Sequence, residues 1–145
     1  MQHRRELSPG LNRSLLALGL WTVFIWTSRV RNILADDALA GWSLTWRLGA
    51  AIGFMAAGIL VLVGRFGRLS WAGTLAGVLG AVGALWWLVR GIGTLFGDFG
   101  VGFIVVHTVL AVVSITLGYL VVRELGWLRS LAAGRADRYD RSRYG

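Results

Sequence analysis

Four long runs of apolar residues, separated by short polar or charged segments, make up most of this chain. They cover residues 14–28, 48–64, 69–89 and 101–122, and the first extends to Leu34 if its arginines reach the lipid headgroups. A helix needs about 20 such residues to cross the hydrocarbon core of a bilayer, which is about 30 Å thick. The runs lack the polar faces that helices of a soluble domain carry. The pattern therefore predicts an all-α integral membrane protein with four transmembrane helices.

The segments outside the runs are polar, and their composition divides the chain further. Residues 1–13 are basic, residues 65–68 make a tight turn, and residues 123–145 form a charged tail whose end has the composition of a disordered segment. Residues 124–133 either continue the fourth helix or lie along the membrane surface. A basic segment before an apolar run is also typical of a signal peptide. Because no small-residue cleavage site follows, we interpret the first run as a retained helix.

The distribution of arginine predicts the orientation of the chain. The loops 35–47 and 91–100 lie on one side of the membrane, and both termini lie on the other with the tight turn. The side with the termini carries eleven arginines: Arg4, Arg5, Arg13, Arg65, Arg68, Arg123, Arg129, Arg135, Arg138, Arg141 and Arg143. The loop side carries four: Arg29, Arg31, Arg47 and Arg90. Since positive charge is enriched on the cytoplasmic side, the prediction is N-in and C-in.

Composition supports a membrane protein and excludes several kinds of site. The chain is 56% hydrophobic and only 15% charged, with a mean hydropathy of +0.65, whereas about a quarter of the residues of a soluble domain are charged. It has no cysteine, which excludes disulfides and thiolate metal sites. All 15 basic residues are arginine, which is typical of a GC-rich genome. We expect a multi-pass protein of a cell membrane, namely a bacterial inner membrane, without a metal or other cofactor.

An internal repeat appears when the chain is shifted by 61 residues. The shift aligns Trp26 with Trp87, Arg29 with Arg90, and Asp37 with Asp98, as well as Gly19 with Gly80, Leu34 with Leu95, Gly41 with Gly102 and Ala50 with Ala111. Agreement of tryptophan, arginine and aspartate at one offset is hard to obtain from apolar bias alone. The sequence therefore predicts two parallel two-helix repeats, residues 14–64 and 69–122, related by a pseudo-twofold axis along the membrane normal.

The repeated polar residues form a candidate binding site at the loop side. Trp26 and Arg29 are three residues apart on a helix, as are Trp87 and Arg90, so each arginine is able to lie over an indole. Asp37 and Asp98 are placed to fold back onto the arginines. One interpretation is interfacial anchoring and loop closure. The other is an outer site in which Arg29 and Arg90 converge on an anion or a lipid headgroup, whose phosphate suits the guanidinium fork.

His107 is the one titratable side chain that the pattern places deep inside an apolar run. It shares a helical face with Ala111, Ser114 and Gly118. Burying such a group without a partner is costly, so it is a functional candidate. Three hypotheses are open: a hydrogen-bonding residue between helices, a proton-relay or substrate contact of a transporter, or one ligand to a cofactor or metal shared with a partner subunit. The residue aligned with His107 by the repeat is Trp46, so this position breaks the symmetry.

Small residues at helical spacing predict helix-packing faces. Gly49 and Gly53 form one such face on the second helix, and Gly73 and Gly77 form another on the third. Small faces let helices approach closely in lipid, where no hydrophobic effect drives association. The faces pack within the chain or, where they point outwards, against a partner.

These features predict a non-enzymatic accessory or structural subunit that packs against a larger membrane complex or against itself. The alternative is a small oligomeric transporter or channel for protons, an anion or a lipid. A third hypothesis, a lipid-modifying enzyme, has only Asp36, Asp37 and Asp98 as candidate acids or bases. Expected partners are membrane lipids, including anionic ones, and a membrane protein or a second copy. Nucleic acid is not expected, because the sequence indicates no folded basic surface.

Overall fold

The computed structural model describes residues 9–144, with side-chain placement for residues 9–126, and consists of four α-helices. They are α1 (Pro9–Leu34), α2 (Gly41–Phe66), α3 (Ala72–Leu95) and α4 (Val101–Tyr144). The connections 35–40 and 96–100 lie at one end of the bundle, called here the loop end, and the connection 67–71 lies at the other, the turn end. The predicted all-α architecture is confirmed.

The helices extend beyond the predicted apolar runs and into the predicted loops. α2 begins at Gly41, inside the predicted loop 35–47, and α3 continues to Leu95, inside the predicted loop 91–100. The predicted loops were therefore too long. Polar and aromatic residues near a membrane surface are compatible with a helix, which satisfies its own backbone hydrogen bonds.

The backbone of α4 continues without a break to Tyr144, through the predicted tail. The disorder predicted for the end of the tail stays a prediction. The alanines, leucines and arginines of the tail are good helix formers, and they outweigh Gly134, which costs about 1 kcal/mol relative to alanine. The predicted basic N-terminus is described only from Pro9 onwards, and residues 1–8 lie outside the described residues.

Three helices are long and apolar enough to cross a membrane, over Gly41–Phe66, Ala72–Leu95 and Val101–Gly126. α1 has the same length as α2, 26 residues, but arginines and hydroxyl residues make it less apolar. Large apolar side chains, Phe24 and Leu85 among them, lie exposed on the outward faces. Such a surface suits lipid better than water. The fold is thus that of a small helical protein whose apolar helices are consistent with a membrane location.

The most extensive packing joins α1 to α2 and α3 to α4, so the bundle consists of two helical hairpins placed side by side. One core cluster lies towards the turn end around Leu15, Val61 and Val121. A second, aromatic cluster lies towards the loop end around Trp26 and Trp87. The ends of α1 and α3 are separated in sequence by the 61 residues of the repeat offset. The repeat itself stays a prediction.

Close helix contacts are built on glycine in both hairpins. In the second hairpin Gly80 of α3 faces Gly118 of α4, and a Cβ on Gly118 would lie 2.6 Å from the Gly80 carbonyl oxygen. In the first hairpin Gly19 of α1 faces α2, where a Cβ would lie 2.7 Å from the Leu62 side chain and 3.3 Å from the Gly58 carbonyl oxygen. Only glycine allows backbones to approach this closely.

The predicted packing faces have different surroundings. Gly73 and Gly77 of α3 both face the Leu125 side chain of α4, and a Cβ added to them would lie 3.1 and 2.9 Å from it. Gly49 and Gly53 of α2 are exposed, and a Cβ on either would meet nothing within 4 Å. The face on α3 is therefore used inside the chain. The face on α2 is open along the outside of the bundle.

A tight turn connects the two hairpins. The amide of Leu69 donates to the carbonyl of Gly64 at 2.8 Å, and that of Arg68 donates to the carbonyl of Arg65 at 3.1 Å. These bonds define a Schellman motif, which ends a helix with one residue in the left-handed region. Arg68 takes that conformation, with φ of 52°. The motif lets α2 end and α3 begin within five residues, which keeps the hairpins adjacent.

Candidate functional site

Three arginines from three helices lie together at the loop end. Arg29 is five residues before the end of α1, Arg90 is five residues before the end of α3, and Arg47 is six residues after the start of α2. At 1.5 Å per residue, all three lie about 8–9 Å from the helix ends. Arg29 is half-buried, and the positive charges of Arg90 and Arg47 act on it. Arg29 and Arg90 thus lie in one region with Arg47, and their predicted role in binding an anion or a headgroup stays a prediction.

These arginines line a pocket of about 420 Å³, called here the arginine pocket. Its volume is within the range of small-molecule sites, about 300–1,000 Å³. Its wall contains both charged and aromatic side chains: Arg29, Arg47 and Arg90 together with Trp26, Trp42, Trp46 and Trp86. Indoles suit the interface between hydrocarbon and headgroups, because the ring is apolar and its N–H is a donor.

An aromatic cluster supports the pocket from below. Trp26 stacks on Phe54 of α2 with ring centroids 4.4 Å apart and planes within 1°. Trp86 of α3 packs edge-on against both rings, at 5.9 Å from Trp26 and 5.7 Å from Phe54. Three helices therefore meet at one rigid contact, and the arginines extend from the turn of helix nearest to it. The first and second hairpins are joined here by aromatic rings rather than by polar bonds.

The predicted partners of the arginines are absent from the site. Asp37 and Asp98 are exposed and form no ion pair, since Arg123 with Glu124 at 3.5 Å is the ion pair found within residues 9–126. The loop aspartate that makes a hydrogen bond is Asp36, whose Oδ1 accepts from the Ala38 amide at 3.2 Å. The predicted arginine–aspartate pairs were therefore wrong. A short carboxylate side chain satisfies its own loop before it reaches a neighbouring helix.

The predicted contacts between arginine and indole are also not formed. Trp26 stacks on Phe54, and Trp87 packs near His107, with ring centroids 6.4 Å apart. In the part of the chain with described side chains, the cation–π contact is that of Arg65 with Phe66. Both tryptophans are almost fully buried, at 5% and 7% exposed. They are core residues, and their burial leaves the guanidinium groups free of aromatic faces inside the chain.

His107 lies beside the arginine pocket and is buried, at 8% exposed. Its Nδ1 lies 2.9 Å from the carbonyl oxygen of Phe103 one turn earlier, so Nδ1–H is the donor and Nε2 is the acceptor of the neutral ring. The Phe103 ring stacks on the imidazole with centroids 3.8 Å apart. The charges of Arg29 and Arg90 reach this group. Its polar contact is within its own helix, not between helices as one hypothesis predicted.

Ser114, in contrast to His107, makes a side-chain hydrogen bond to another helix. Its Oγ accepts a hydrogen bond of 2.9 Å from Nε1 of Trp21 on α1. Ser114 is buried, as are the other members of its predicted face, His107, Ala111 and Gly118. A small cavity of about 20 Å³ lies next to this bond, in the middle of the bundle. That volume is enough for about one water molecule and is not a channel.

Arg47, Trp42, Trp46 and Trp86 were not among the predicted site residues. The first three lie in the segment predicted as a loop, which hid their helical register. Trp42 and Trp46 are four residues apart, which is the spacing of one helical face and could have extended the predicted helix. Trp86 was considered only as a neighbour of Arg90. Its contact with Trp26 and Phe54 depends on how the hairpins pack.

Comparison with known protein families, curated proteins and solved structures finds no match for this chain. Its function is therefore argued from its own residues. Within residues 9–126 there is no group of three histidine, cysteine or acidic side chains that could hold a metal ion. The chemistry available at the loop end is positive charge, indole N–H donors and one neutral imidazole.

Proposed function

We propose that this chain is a four-span protein of a bacterial inner membrane, with both termini in the cytoplasm, that acts as a non-enzymatic accessory subunit. It packs against a larger membrane protein or a second copy through the open face of α2. The observation that carries this proposal is that Gly49 and Gly53 are exposed, whereas the close helix contacts inside the chain are built on glycine.

The packing of α1 supports a fourth crossing. Near its start, the carbonyl of Asn12 accepts from Nε of Arg65 at the end of α2, at 2.9 Å. A Cβ on Gly10 would lie 3.1 Å from the Glu124 carboxylate of α4. Near its other end Trp26 is stacked on Phe54. α1 therefore lies alongside α2 from the turn end to the loop end, and it spans whatever depth α2 spans.

The open face of α2 supports assembly. Helices in lipid associate through small residues, because lipid tails offer no hydrophobic drive. The bundle uses this principle at Gly19 and at Gly80 with Gly118. Gly49, Gly53 and Ala56 are three or four residues apart on one side of α2 and are exposed to the outside. A partner helix is the occupant that such a face accepts at close distance.

Crosslinking in native membranes tests this proposal. A photo-crosslinking residue at position 53 is expected to give one discrete product, at about twice 15.8 kDa for a second copy or at another fixed mass for a different subunit. The same residue at position 81, also exposed but on α3, serves as the control. Gly53→Leu should prevent co-purification in mild detergent while Ala81→Leu does not. Monomer alone at position 53, and no effect of Gly53→Leu, contradict the assembly.

A second candidate function is an oligomeric carrier for an anion or a lipid, with His107 beside its route. The three arginines without a carboxylate partner and the nearby imidazole favour it. The cavity in the middle of the bundle, at about 20 Å³, is too small for a route, so we place the route between subunits. Flux into reconstituted vesicles tests this. Wild-type flux in both His107→Ala and Arg90→Ala would exclude these residues from the route.

A further inference from the structure

A groove on the surface of α3 begins at the arginine pocket and runs towards the middle of the bundle. Trp86 and Arg90 line both the pocket and the groove, so the two spaces adjoin at these side chains. The groove has a volume of about 530 Å³ and follows Val82, Leu85 and Val89 along one face of the helix. Its wall is mostly apolar, with Arg90 and Thr94 towards the loop end. A charged compartment therefore lies next to a mainly apolar one.

We propose that the arginine pocket and the α3 groove together bind one anionic phospholipid. The phosphate lies among Arg29, Arg47 and Arg90, and one acyl chain lies along the groove. The inference rests on the membrane crossing in the proposed function, but not on the proposed assembly through α2. It adds to the predicted headgroup site a third arginine and a binding surface for the acyl chain.

The charge of the pocket favours an anion. The positive charges of Arg90 and Arg47 act on the half-buried Arg29, and no side-chain hydrogen bond or ion pair engages the three guanidinium groups within residues 9–126. A neighbouring like charge disfavours the charged form of a group, and an opposite charge favours it. A phosphate oxygen pair matches the planar donor fork of arginine. Basic pockets between transmembrane helices are known to hold lipid headgroups for this reason.

The groove selects an amphipathic anion over a free one. Val82 lies eight residues before Arg90, which places it about 12 Å deeper in the membrane. One leaflet contributes about 15 Å of hydrocarbon, so the groove follows most of an acyl chain. Free phosphate would leave the groove without an occupant, and an uncharged lipid would leave the arginines without a counter-charge. An anionic phospholipid satisfies both.

Native mass spectrometry of the full chain in mild detergent tests the proposal. The probes are phosphatidylglycerol, zwitterionic phosphatidylcholine and water-soluble glycerol phosphate. Phosphatidylglycerol is expected to bind with a stoichiometry of one at the lowest concentration. Phosphatidylcholine should bind more weakly, because its choline opposes the three positive charges. Glycerol phosphate should displace phosphatidylglycerol only at a large excess, because it gains nothing from the groove.

Two arginine variants test the headgroup contacts. Arg29→Gln and Arg90→Gln are each expected to weaken phosphatidylglycerol binding about tenfold, the usual effect of losing a hydrogen bond to a charged group. Arg31→Gln is the matched control, since Arg31 is at the same helix end but outside the pocket. Arg90 is exposed, so its variant reports on binding even if the half-buried Arg29 proves necessary for folding.

Two tryptophan variants test the acyl-chain contact. Val89→Trp fills the groove, and Val112→Trp places the same ring on α4; both valines are exposed, at 64% and 58%. Val89→Trp should weaken phosphatidylglycerol binding and leave glycerol phosphate binding unchanged, while Val112→Trp changes neither.

Each of the other outcomes overturns part of the proposal. Binding of phosphatidylglycerol that is equal in Arg90→Gln, Arg31→Gln and the wild type removes the arginine pocket as the site. Equal affinity for glycerol phosphate and phosphatidylglycerol, with no effect of Val89→Trp, assigns the pocket to free phosphate instead of a lipid. Neither result changes crosslinking from position 53, so failure of this site is distinguishable from failure of the proposed assembly.

Discussion

Each of the two hairpins of this bundle consists of two packed helices, but the hairpins differ in the side chains at their helix contacts. Residues aligned by the 61-residue shift have similar places at Trp26 and Trp87, which are both buried in the aromatic core cluster. Trp46 and His107, which the shift also aligns, differ in burial: Trp46 is 56% exposed and His107 is 8% exposed. The first hairpin thus contributes an exposed indole to the arginine pocket, and the second contributes a buried imidazole beside it. The two hairpins therefore carry different side chains at positions that the shift aligns.

The glycine contacts of the two hairpins also differ. Gly80 and Gly118 bring two backbones together, whereas Gly19 accommodates mainly the flexible Leu62 side chain. The second hairpin is therefore the more rigid joint, and the first has room to adjust. The three predictions that follow test this difference by comparing a position in one hairpin with its counterpart in the other, or with an exposed control.

The largest loss in the free energy of unfolding is expected where the two hairpins meet. Trp26→Ala removes a buried ring that stacks on Phe54 and meets the edge of Trp86, and such truncations cost about 3–5 kcal/mol. Trp87→Ala should cost less, because its ring contact is with the more distant His107. The expected difference is about 0.5–1.5 kcal/mol for each aromatic pair. The measurement is the free energy of unfolding from mild detergent into dodecyl sulfate, followed by circular dichroism. Trp42→Ala, at a 79% exposed site, is the control. Equal losses at 26 and 87 would remove the difference between the two tryptophans.

An intermediate loss in the free energy of unfolding is expected at the glycine contacts. Gly118→Ala places a Cβ against a backbone oxygen that has no room to move, so it should cost about 1–3 kcal/mol, as overpacking usually does. Gly19→Ala should cost less because Leu62 is able to change its rotamer. Gly93→Ala, with nothing within 4 Å, should be neutral or slightly stabilising. The same unfolding titration compares the three. A larger loss at Gly19 than at Gly118 would reverse the assignment of the rigid joint.

The smallest effect is expected at the hydrogen bond between α1 and α4. Ser114→Ala removes the acceptor of Trp21 Nε1, and bonds of this kind between membrane helices contribute about 0.6 kcal/mol on average. The shift aligns Ser114 with Gly53 and Trp21 with Val82, and neither counterpart has a polar side chain, so this bond has no equivalent under the shift. A double-mutant cycle with Trp21→Phe isolates the pairwise contribution, and Thr116→Ala at an exposed site is the control. A coupling free energy of zero would mean that the bond adds nothing to the packing around it.

The sequence was sufficient for the parts of this fold that depend on long patterns. The apolar runs predicted all four helices, and the repeated W-x-x-R placed Arg29 and Arg90 at equal distances from the ends of α1 and α3. It could not predict the partners of those arginines. Whether Asp37 reaches an arginine depends on loop geometry over a few residues, and here Asp36 closes its own turn. Arg47 joined the site because α2 begins earlier than the apolar run indicates. The stacking of Trp26 on Phe54 depends on how neighbouring helices rotate, which periodicity alone does not specify.

The central claim is that all four helices cross the membrane, with both termini on the cytoplasmic side, and cysteine labelling tests it most directly. Because the native chain has no cysteine, Gln2→Cys, Ala38→Cys, Ser70→Cys and Gly100→Cys each introduce a single thiol. In intact cells a membrane-impermeant maleimide should label positions 38 and 100, and it should label positions 2 and 70 only after the membrane is opened. Labelling of position 2 together with 38 in intact cells would mean that α1 does not cross, and it would contradict the four-span account.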